Sequence, residues 1–272
     1  MDARPCPVLV EADQLNTLLD HRDLVLVDMS PSAAYEAGHI PGAAHLDYDR
    51  IVASDGPVSG LLPEESTFRS TLAGLGIGPD SRVVAYDDSA GLTAARLLWT
   101  LSVCGIENWS LLNGGRQAWQ RAGYELEPGT VDPDPAPAFA RYQGRDVADC
   151  ATIRKQLEND DTVLLDVRSP AEFSGEDRRS ARGGHIPGAV NYEWTRALEP
   201  RTGCFRAAAA IRAELADLGV TPDRQVITYC QSHRRSSFSY VLLRALGFEN
   251  VAGYPGAWSD WGNRADTPVE AG

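Results

Sequence analysis

The chain has 272 residues, enough for two domains of about 100–150 residues each, and its 43% hydrophobic content is typical of globular cores. Its net charge of −13 argues against nucleic acid or an anionic membrane as the main partner, since both would repel it. No apolar run approaches membrane-spanning length and the N-terminus has no signal-peptide core, so we expect a soluble cytoplasmic protein.

In the first half of the chain, short apolar runs alternate with helical stretches. Leu24–Val27 and Val83–Tyr86 are predicted strands. Such alternation is typical of an α/β domain with a mainly parallel sheet flanked by helices. We assign residues 1–124 to this first domain.

Residues 125–144 are predicted to form an extended linker. Proline is excluded from helix interiors and from central strands alike. The second domain is therefore assigned to residues 145–272, where Val163–Leu165 and Val226–Tyr229 are predicted strands. The prolines of the linker are Pro128, Pro133, Pro135 and Pro137.

The two halves of the chain repeat one another. Leu72–Asp87 aligns without gaps against Leu215–Cys230, and eight of the sixteen positions are identical. A Gly-His-Ile-Pro-Gly-Ala block begins at Gly38 and recurs at Gly184 in the same order along the chain. The repeat indicates a tandem duplication, and the predicted fold is therefore two α/β domains in succession.

The second copy has a cysteine at the end of its last predicted strand. Cys230 opens the loop Cys-Gln-Ser-His-Arg-Arg-Ser, and a helix is predicted over residues 237–246. Backbone N–H groups and a helix N-terminus can converge there, which favours a thiolate and binds an anion beside it. We predict a nucleophilic cysteine that takes an anionic substrate. The basic side chains of the loop are His233, Arg234 and Arg235.

The first copy has no thiol at the matching position. Asp87 stands there, and Asp88 follows it. An acidic pair would repel an anion, so the first domain is predicted to have kept the fold and lost the nucleophile.

The cysteines favour neither metal binding nor cross-linking. They are odd in number, widely spaced and without a Cys-x-x-Cys pair, which argues against a zinc site or a disulfide framework. Cys104 lies in an apolar stretch and is predicted to be a core residue. The sequence assigns no role to Cys6, Cys150 or Cys204.

Three motifs give the chain a resemblance to the rhodanese family, specifically to the two-domain bacterial thiosulfate sulfurtransferases. They are the His-Ile-Pro-Gly-Ala block of both copies, the tryptophan-rich segment Tyr254–Trp261 and the cysteine loop. The loop is most similar to the Cys-Gln-Thr-His-type loop of the rhodanese of nitrogen-fixing bacteria. The resemblance covers essentially the whole chain and implies two rhodanese-like domains, with the catalytic one second.

This resemblance implies a sulfurtransferase that moves sulfane sulfur from thiosulfate through a Cys230 persulfide. The acceptor would be cyanide, a small thiol or a protein thiol, and no metal or organic cofactor is needed. A monomer that binds neither nucleic acid nor a membrane is expected. The residues implied to bind substrate around Cys230 are Gln231, Ser232, His233, Arg234 and Arg235.

The chain departs from the family pattern just before Phe173. The animal thiosulfate enzymes and the mercaptopyruvate enzymes carry a substrate-binding arginine there, whereas this chain has Glu172. The anion contact is therefore expected from Arg235 or Arg234. Arg168 could face the cleft or pair with Glu172, and we favour the ion pair.

Three other functions stay open at this stage. A 3-mercaptopyruvate sulfurtransferase would usually have a Gly-Ser-Gly loop after the cysteine, which is absent here. A rhodanese-fold phosphatase would have Cys-x5-Arg, whereas Cys230 and Arg235 form Cys-x4-Arg. A rhodanese-like sulfur-relay or binding module would need no complete active loop.

Trp194 could line the pocket or pack in the core.

Overall fold

The computed structural model describes residues 7–157 and 161–272, so Cys6 lies outside the described residues. Contacts divide the chain into two units, each assembled from three segments. Unit 1 consists of Met1–Ile51, Pro63–Arg145 and Glu199–Phe205, and unit 2 consists of Val52–Leu62, Asp146–Leu198 and Arg206–Gly272. These units are not continuous stretches of chain, and the boundaries after residues 124 and 144 stay predictions.

Short strands and helices alternate along the first half of the chain. In chain order they are β1 (Leu9–Val10), α1 (Ala12–Asn16), β2 (Leu24–Asp28), α2 (Ser32–Ala37), β3 (Ala44–His45), β4 (Ala53–Asp55), β5 (Val58–Leu61), α3 (Glu65–Gly74), β6 (Arg82–Tyr86), α4 (Leu92–Val103), β7 (Trp109–Leu112) and α5 (Gly115–Arg121). A 3-10 helix covers Tyr48–Ile51.

The second half repeats this alternation. Its elements are α6 (Cys150–Gln156), β8 (Thr162–Asp166), α7 (Pro170–Ser174), β9 (Val190–Asn191), α8 (Ala208–Asp217), β10 (Gln225–Tyr229), α9 (Arg235–Ala245), β11 (Val251–Gly253) and α10 (Ala257–Trp261). A 3-10 helix covers Trp194–Ala197. Among the residues described, no helix is long and apolar enough to cross a membrane.

Each unit is built around a parallel sheet. The sheet of unit 1 has the strand order β1-β7-β6-β2-β3, and that of unit 2 has the order β11-β10-β8-β9. The central strands β6 and β10 are rich in valine, isoleucine and tyrosine and are almost entirely buried, as expected for strands covered on both faces. The prediction of two α/β domains with mainly parallel sheets is confirmed. Unit 2 also contains the antiparallel hairpin β4–β5.

The segment 125–144 contains no helix and no strand. Its backbone is instead bonded to unit 1 at intervals: His39 and Glu127 exchange both backbone hydrogen bonds, and Ala136 N–H donates to the carbonyl of Ala73. Further along, Gln143 N–H donates to the carbonyl of Val103. The segment is thus an extended strap along unit 1. Its prolines exclude regular structure, and its other backbone groups find hydrogen-bond partners in unit 1 instead.

A buried ion pair closes the C-terminal end of β8. Arg168 donates to the carboxylate of Asp166 from Nε, at 3.0 Å to each oxygen, and from Nη2 at 2.6 Å. Its side chain is 1% exposed and that of Asp166 is 0% exposed. The guanidinium also lies 4.6 Å from the centre of the Trp258 ring. The expected ion pair between Arg168 and Glu172 is therefore wrong. Asp166 lies only two residues from Arg168 along the chain, and its carboxylate binds the guanidinium instead.

The pair should contribute to the stability of the fold. We expect Arg168→Met to lower the free energy of unfolding by about 3–5 kcal/mol, because it leaves the Asp166 carboxylate buried without its partner. Guanidinium titration followed by circular dichroism measures this change. Arg154→Met is the matched control, since Arg154 pairs with Asp266 at the surface and should cost less than about 1 kcal/mol. Equal costs for the two variants would contradict the assignment.

Candidate active site

Cys230 lies at the carboxyl end of the central strand β10. In this sheet β9 lies on one side of β8 and β10 on the other, so the strand order reverses between β8 and β10. Open parallel sheets bind ligands at such a switch point, outside the carboxyl ends of the strands. The thiol side chain is buried, with 1% of the residue exposed. Its position matches the predicted one.

The loop after Cys230 folds back around the sulfur. His233 has a left-handed backbone with φ +56°, which turns the chain so that α9 begins at Arg235, two residues before the predicted start. The backbone N–H groups of Ser236 and Ser232 contribute to lowering the pKa of the Cys230 thiol. The Ser236 hydroxyl donates to its sulfur, with Oγ 3.4 Å from Sγ.

This surrounding stabilises the thiolate. Burial alone would raise the pKa of the Cys230 thiol. The charge of Arg235, the Ser236 hydroxyl and the N–H groups of Ser236 and Ser232 act in the opposite direction and outweigh it. The pKa of Cys230 therefore lies below its ordinary value, as for other cysteines near cations and helix N-termini.

Arg235 is held by a buried carboxylate. Its Nη1 and Nη2 donate to the two oxygens of Glu172 at 2.6 and 2.8 Å, and the Glu172 side chain is 1% exposed. Burial would raise the pKa of Glu172, but the hydrogen bonds and charge of Arg235 lower it to about 2. Glu172 thus stays ionised and fixes Arg235 beside Cys230. Glu172, which stands where the family pattern has an arginine, is thus the ion-pair partner of Arg235, the cation predicted to bind substrate.

The other predicted residues point in different directions. Gln231 turns away from the sulfur, since its Nε2 donates to Ser180 Oγ at 3.1 Å. His233 is fully buried, and its Nδ1 lies 2.7 Å from Ser236 Oγ. Arg234 is half-buried and directly precedes α9. Ser232 and Arg235 therefore act on the pKa of the Cys230 thiol, and His233 is linked to the sulfur through the Ser236 hydroxyl.

The sequence interpretation missed Ser236. It is fully buried and connects the His233 ring to the Cys230 sulfur. A signal for it was present, because Thr93 stands at the matching position of the first copy. A hydroxyl six residues after Asp87 in one copy and six residues after Cys230 in the other points to a shared task in the loop.

Unit 1 contains the same loop with a carboxylate in place of the thiol. Asp87 Oδ1 accepts from the N–H groups of Ser89 at 2.7 Å and Gly91 at 2.8 Å. Its Oδ2 accepts from Thr93 N at 2.7 Å, Thr93 Oγ1 at 2.5 Å and Ala94 N at 3.0 Å. The loop therefore binds an anion in this unit, and its own side chain is that anion. The sequence predicted only that Asp87 repels an anion; in the structure its carboxylate also occupies the anion-binding position of the loop.

Among the other cysteines that the structure describes, none has the surroundings of Cys230, and the prediction that Cys104 lies in the core is confirmed. Burial raises the pKa of Cys104 to about 12, as suits a core thiol, and it also raises the pKa of Cys150. Cys204 is half-buried. Trp194 is half-buried too and packs edge-on against Phe238 of α9, with ring centres 5.5 Å apart.

Known proteins share this architecture over the full chain. A thiosulfate sulfurtransferase of Azotobacter vinelandii is 38% identical over 269 residues, which cover 99% of this chain and 99% of that protein. A thiosulfate sulfurtransferase of Pseudomonas aeruginosa is 39% identical over 264 residues, covering 97% of each. The crystal structure of YnjE matches with a TM-score of 0.90 at 27% identity, covering 97% of this chain and 68% of that one.

The family itself is identified in both halves. The family model of the rhodanese-like domain matches residues 11–122 and again residues 149–264. The two matches enclose Asp87 and Cys230, the residues that directly follow the central strands β6 and β10. The resemblance drawn from the sequence motifs is confirmed, and the chain belongs to the rhodanese family, with one rhodanese-like domain in each half.

Proposed function

We propose that this protein is a thiosulfate sulfurtransferase that carries sulfur on Cys230. One observation carries the proposal: a buried thiol whose pKa is lowered by converging hydrogen-bond donors and a neighbouring arginine. A lowered pKa favours the thiolate, which is the nucleophilic form of cysteine. The relatives named thiosulfate sulfurtransferase support the choice of donor.

The first half-reaction loads the cysteine. The Cys230 thiolate attacks the outer sulfur of thiosulfate, a bond forms between the two sulfurs, and the sulfur–sulfur bond of thiosulfate breaks. Sulfite leaves with the bonding electron pair. The enzyme now carries Cys230–S–S⁻, whose negative charge equals that of the thiolate it replaced. No proton is transferred in this step.

The loop then holds the terminal sulfur of the persulfide. N–H groups fixed before the reaction stabilise an anion without reorganisation, as in an oxyanion hole. The N–H groups of Ser232 and Ser236 and the Ser236 hydroxyl are the donors we assign to this task, and His233 orients that hydroxyl. Arg235 adds positive charge, and we place Arg234 and Gln231 at the entrance.

The second half-reaction unloads the cysteine. Cyanide or a thiolate attacks the terminal sulfur, the persulfide bond breaks, and its electron pair returns to Cys230 as the thiolate. The enzyme alternates between two covalent states, so ping-pong kinetics are expected. We propose a cytoplasmic monomer as the working form, with small or protein thiols as acceptors in the cell.

The covalent intermediate gives the first test of function. Thiosulfate should raise the intact mass by one sulfur atom, and cyanide should remove it, because the persulfide forms and is then attacked. Cys230→Ser should abolish both the mass change and thiosulfate:cyanide activity, with circular dichroism unchanged. Cys150→Ser is the control and should retain both, since burial raises the pKa of that thiol. More than a trace of activity in Cys230→Ser would exclude the mechanism.

A second test concerns the donor. Thiosulfate should give a higher kcat/KM than 3-mercaptopyruvate, because Arg235 and Arg234 put positive charge in a loop that lacks the Gly-Ser-Gly of the mercaptopyruvate enzymes. Parallel steady-state assays with cyanide as the common acceptor measure the ratio. A higher kcat/KM for mercaptopyruvate would assign this chain to the other donor class.

Arg235 should influence both donor binding and the thiol. Loss of a charge-assisted contact costs about 1.5–3 kcal/mol, so Arg235→Ala should lower kcat/KM for thiosulfate roughly ten- to a hundredfold. Because the Arg235 charge lowers the pKa of Cys230, its removal should raise that pKa and move the rise of activity to higher pH. Stopped-flow alkylation across a pH series measures the shift.

Two variants control for the unpaired carboxylate that Arg235→Ala would leave. Arg235→Ala combined with Glu172→Gln removes both charges and should retain the loss in kcat/KM. Glu172→Gln alone removes a negative charge near the thiolate and should shift the alkylation profile to lower pH. Arg234→Ala should have a smaller effect than Arg235→Ala. An unchanged pH profile in Arg235→Ala would show that the backbone donors act alone.

A further inference from the structure

Two carbonyl groups of the catalytic loop accept hydrogen bonds from the backbone of α10. In a trans peptide the C=O of one residue and the N–H of the next point in opposite directions. The Ser232 N–H, which helps to lower the pKa of Cys230, therefore shares a rigid plane with the carbonyl of Gln231. Ser259 N–H donates to that carbonyl at 2.9 Å, and Trp258 N–H donates to the carbonyl of Cys230 at 2.9 Å. Whatever fixes these carbonyls aims the N–H groups.

Ser259 also joins the loop to the hairpin β4–β5. Ser59 N–H donates to Ser259 Oγ at 3.0 Å, and Ser259 Oγ lies 3.2 Å from the carbonyl of Ser59 and 2.8 Å from that of Gly256. Ser259 is 2% exposed, so these bonds are shielded from water. One residue thus contacts the catalytic loop with its backbone and the hairpin with its side chain.

Gly60 brings the hairpin directly onto the loop. A Cβ atom built on Gly60 would lie 1.9 Å from the carbonyl oxygen of Ser232 and 2.6 Å from its carbonyl carbon. Neither distance is possible for real atoms, so any side chain must displace either the hairpin or the Ser232–His233 peptide. The backbone of Gly60 is also left-handed, with φ +75°. The missing side chain is therefore a condition for the observed loop position.

We propose that the hairpin β4–β5 is a positioning element for sulfur transfer, in which Gly60 and Ser259 fix the peptides on both sides of Ser232. Backed in this way, the Ser232 N–H stays aimed at Sγ of Cys230 in the thiolate and at the terminal sulfur of the persulfide. Gly60 does not touch substrate and acts through Ser232. This role rests on the proposed function for its chemistry, although its geometry stands within unit 2 alone.

The hairpin provides its own control. Gly56, in the turn between β4 and β5, also has a left-handed backbone, with φ +55°, but a Cβ there meets nothing within 4 Å. Gly60→Ala and Gly56→Ala therefore introduce similar backbone strain, and only Gly60→Ala pushes on the loop. Two readouts separate positioning from stability: the pH profile of Cys230 alkylation by iodoacetamide, and the single-turnover release of sulfite from thiosulfate.

We expect Gly60→Ala to move the alkylation midpoint up by roughly one pH unit and to slow sulfite release about tenfold or more. Gly56→Ala should stay within about twofold of the wild type in both. Ser259→Ala keeps the backbone bond to Gln231 and loses the link to Ser59, so it should shift the midpoint in the same direction by less. Thermal melts accompany each variant.

A stably folded Gly60→Ala with the wild-type alkylation profile would overturn the proposal, as would equal shifts in Gly60→Ala and Gly56→Ala. If Gly60→Ala does not fold, Ser259→Ala decides: an unchanged midpoint rejects the positioning role, and an upward shift supports it. Alkylation needs no sulfur donor. A wild-type protein that releases no sulfite would therefore refute the proposed function while leaving the positioning test intact.

Discussion

The structure depends on one buried negative charge at the end of the central strand in each unit. The loop that follows aims its N–H groups at this point, and such groups require an acceptor when they are removed from water. In unit 1 the Asp87 carboxylate accepts five hydrogen bonds, and in unit 2 the Cys230 thiolate takes the same place. The loop of each unit thus needs an anion as the acceptor of its N–H groups. Whether the unit can transfer sulfur depends on whether this anion is a carboxylate or a thiolate.

The two anions differ in what they leave available. Both oxygens of Asp87 are saturated by donors at 2.5–3.0 Å, so that carboxylate is a structural group. Around Cys230 the Ser236 hydroxyl lies 3.4 Å from the sulfur, an ordinary separation for a hydrogen bond to this larger atom. Glu172 balances the charge of Arg235, which keeps the cation in position without burying an uncompensated charge. Reactivity in unit 2 comes from a thiolate, which is a nucleophile, in the place that a carboxylate occupies in unit 1.

The sequence predicted the parts that depend on local pattern and repetition. Strand positions, the tandem arrangement and the exposed backbone donors after Cys230 all follow from residue type and order. The ion-pair partner of Arg168 does not, because Asp166 lies two residues before it and Glu172 four residues after it, and only the folded backbone selects between the two carboxylates. The contact between Gly60 and Ser232 joins distant segments, and nothing in a single glycine signals it.

Chain connectivity gives the hairpin β4–β5 a further consequence. Residues 52–62 belong to unit 2, yet they lie between two segments of unit 1 in the sequence. A gene fragment that starts after the proline-rich strap would encode Cys230, its loop and α10 without this support. During translation the hairpin is synthesised before Ser232 and Ser259, so its contacts with these two residues can form only afterwards. The catalytic unit can therefore be completed only after Ser259 has been synthesised, and the second half of the duplication depends on a segment that lies in the first.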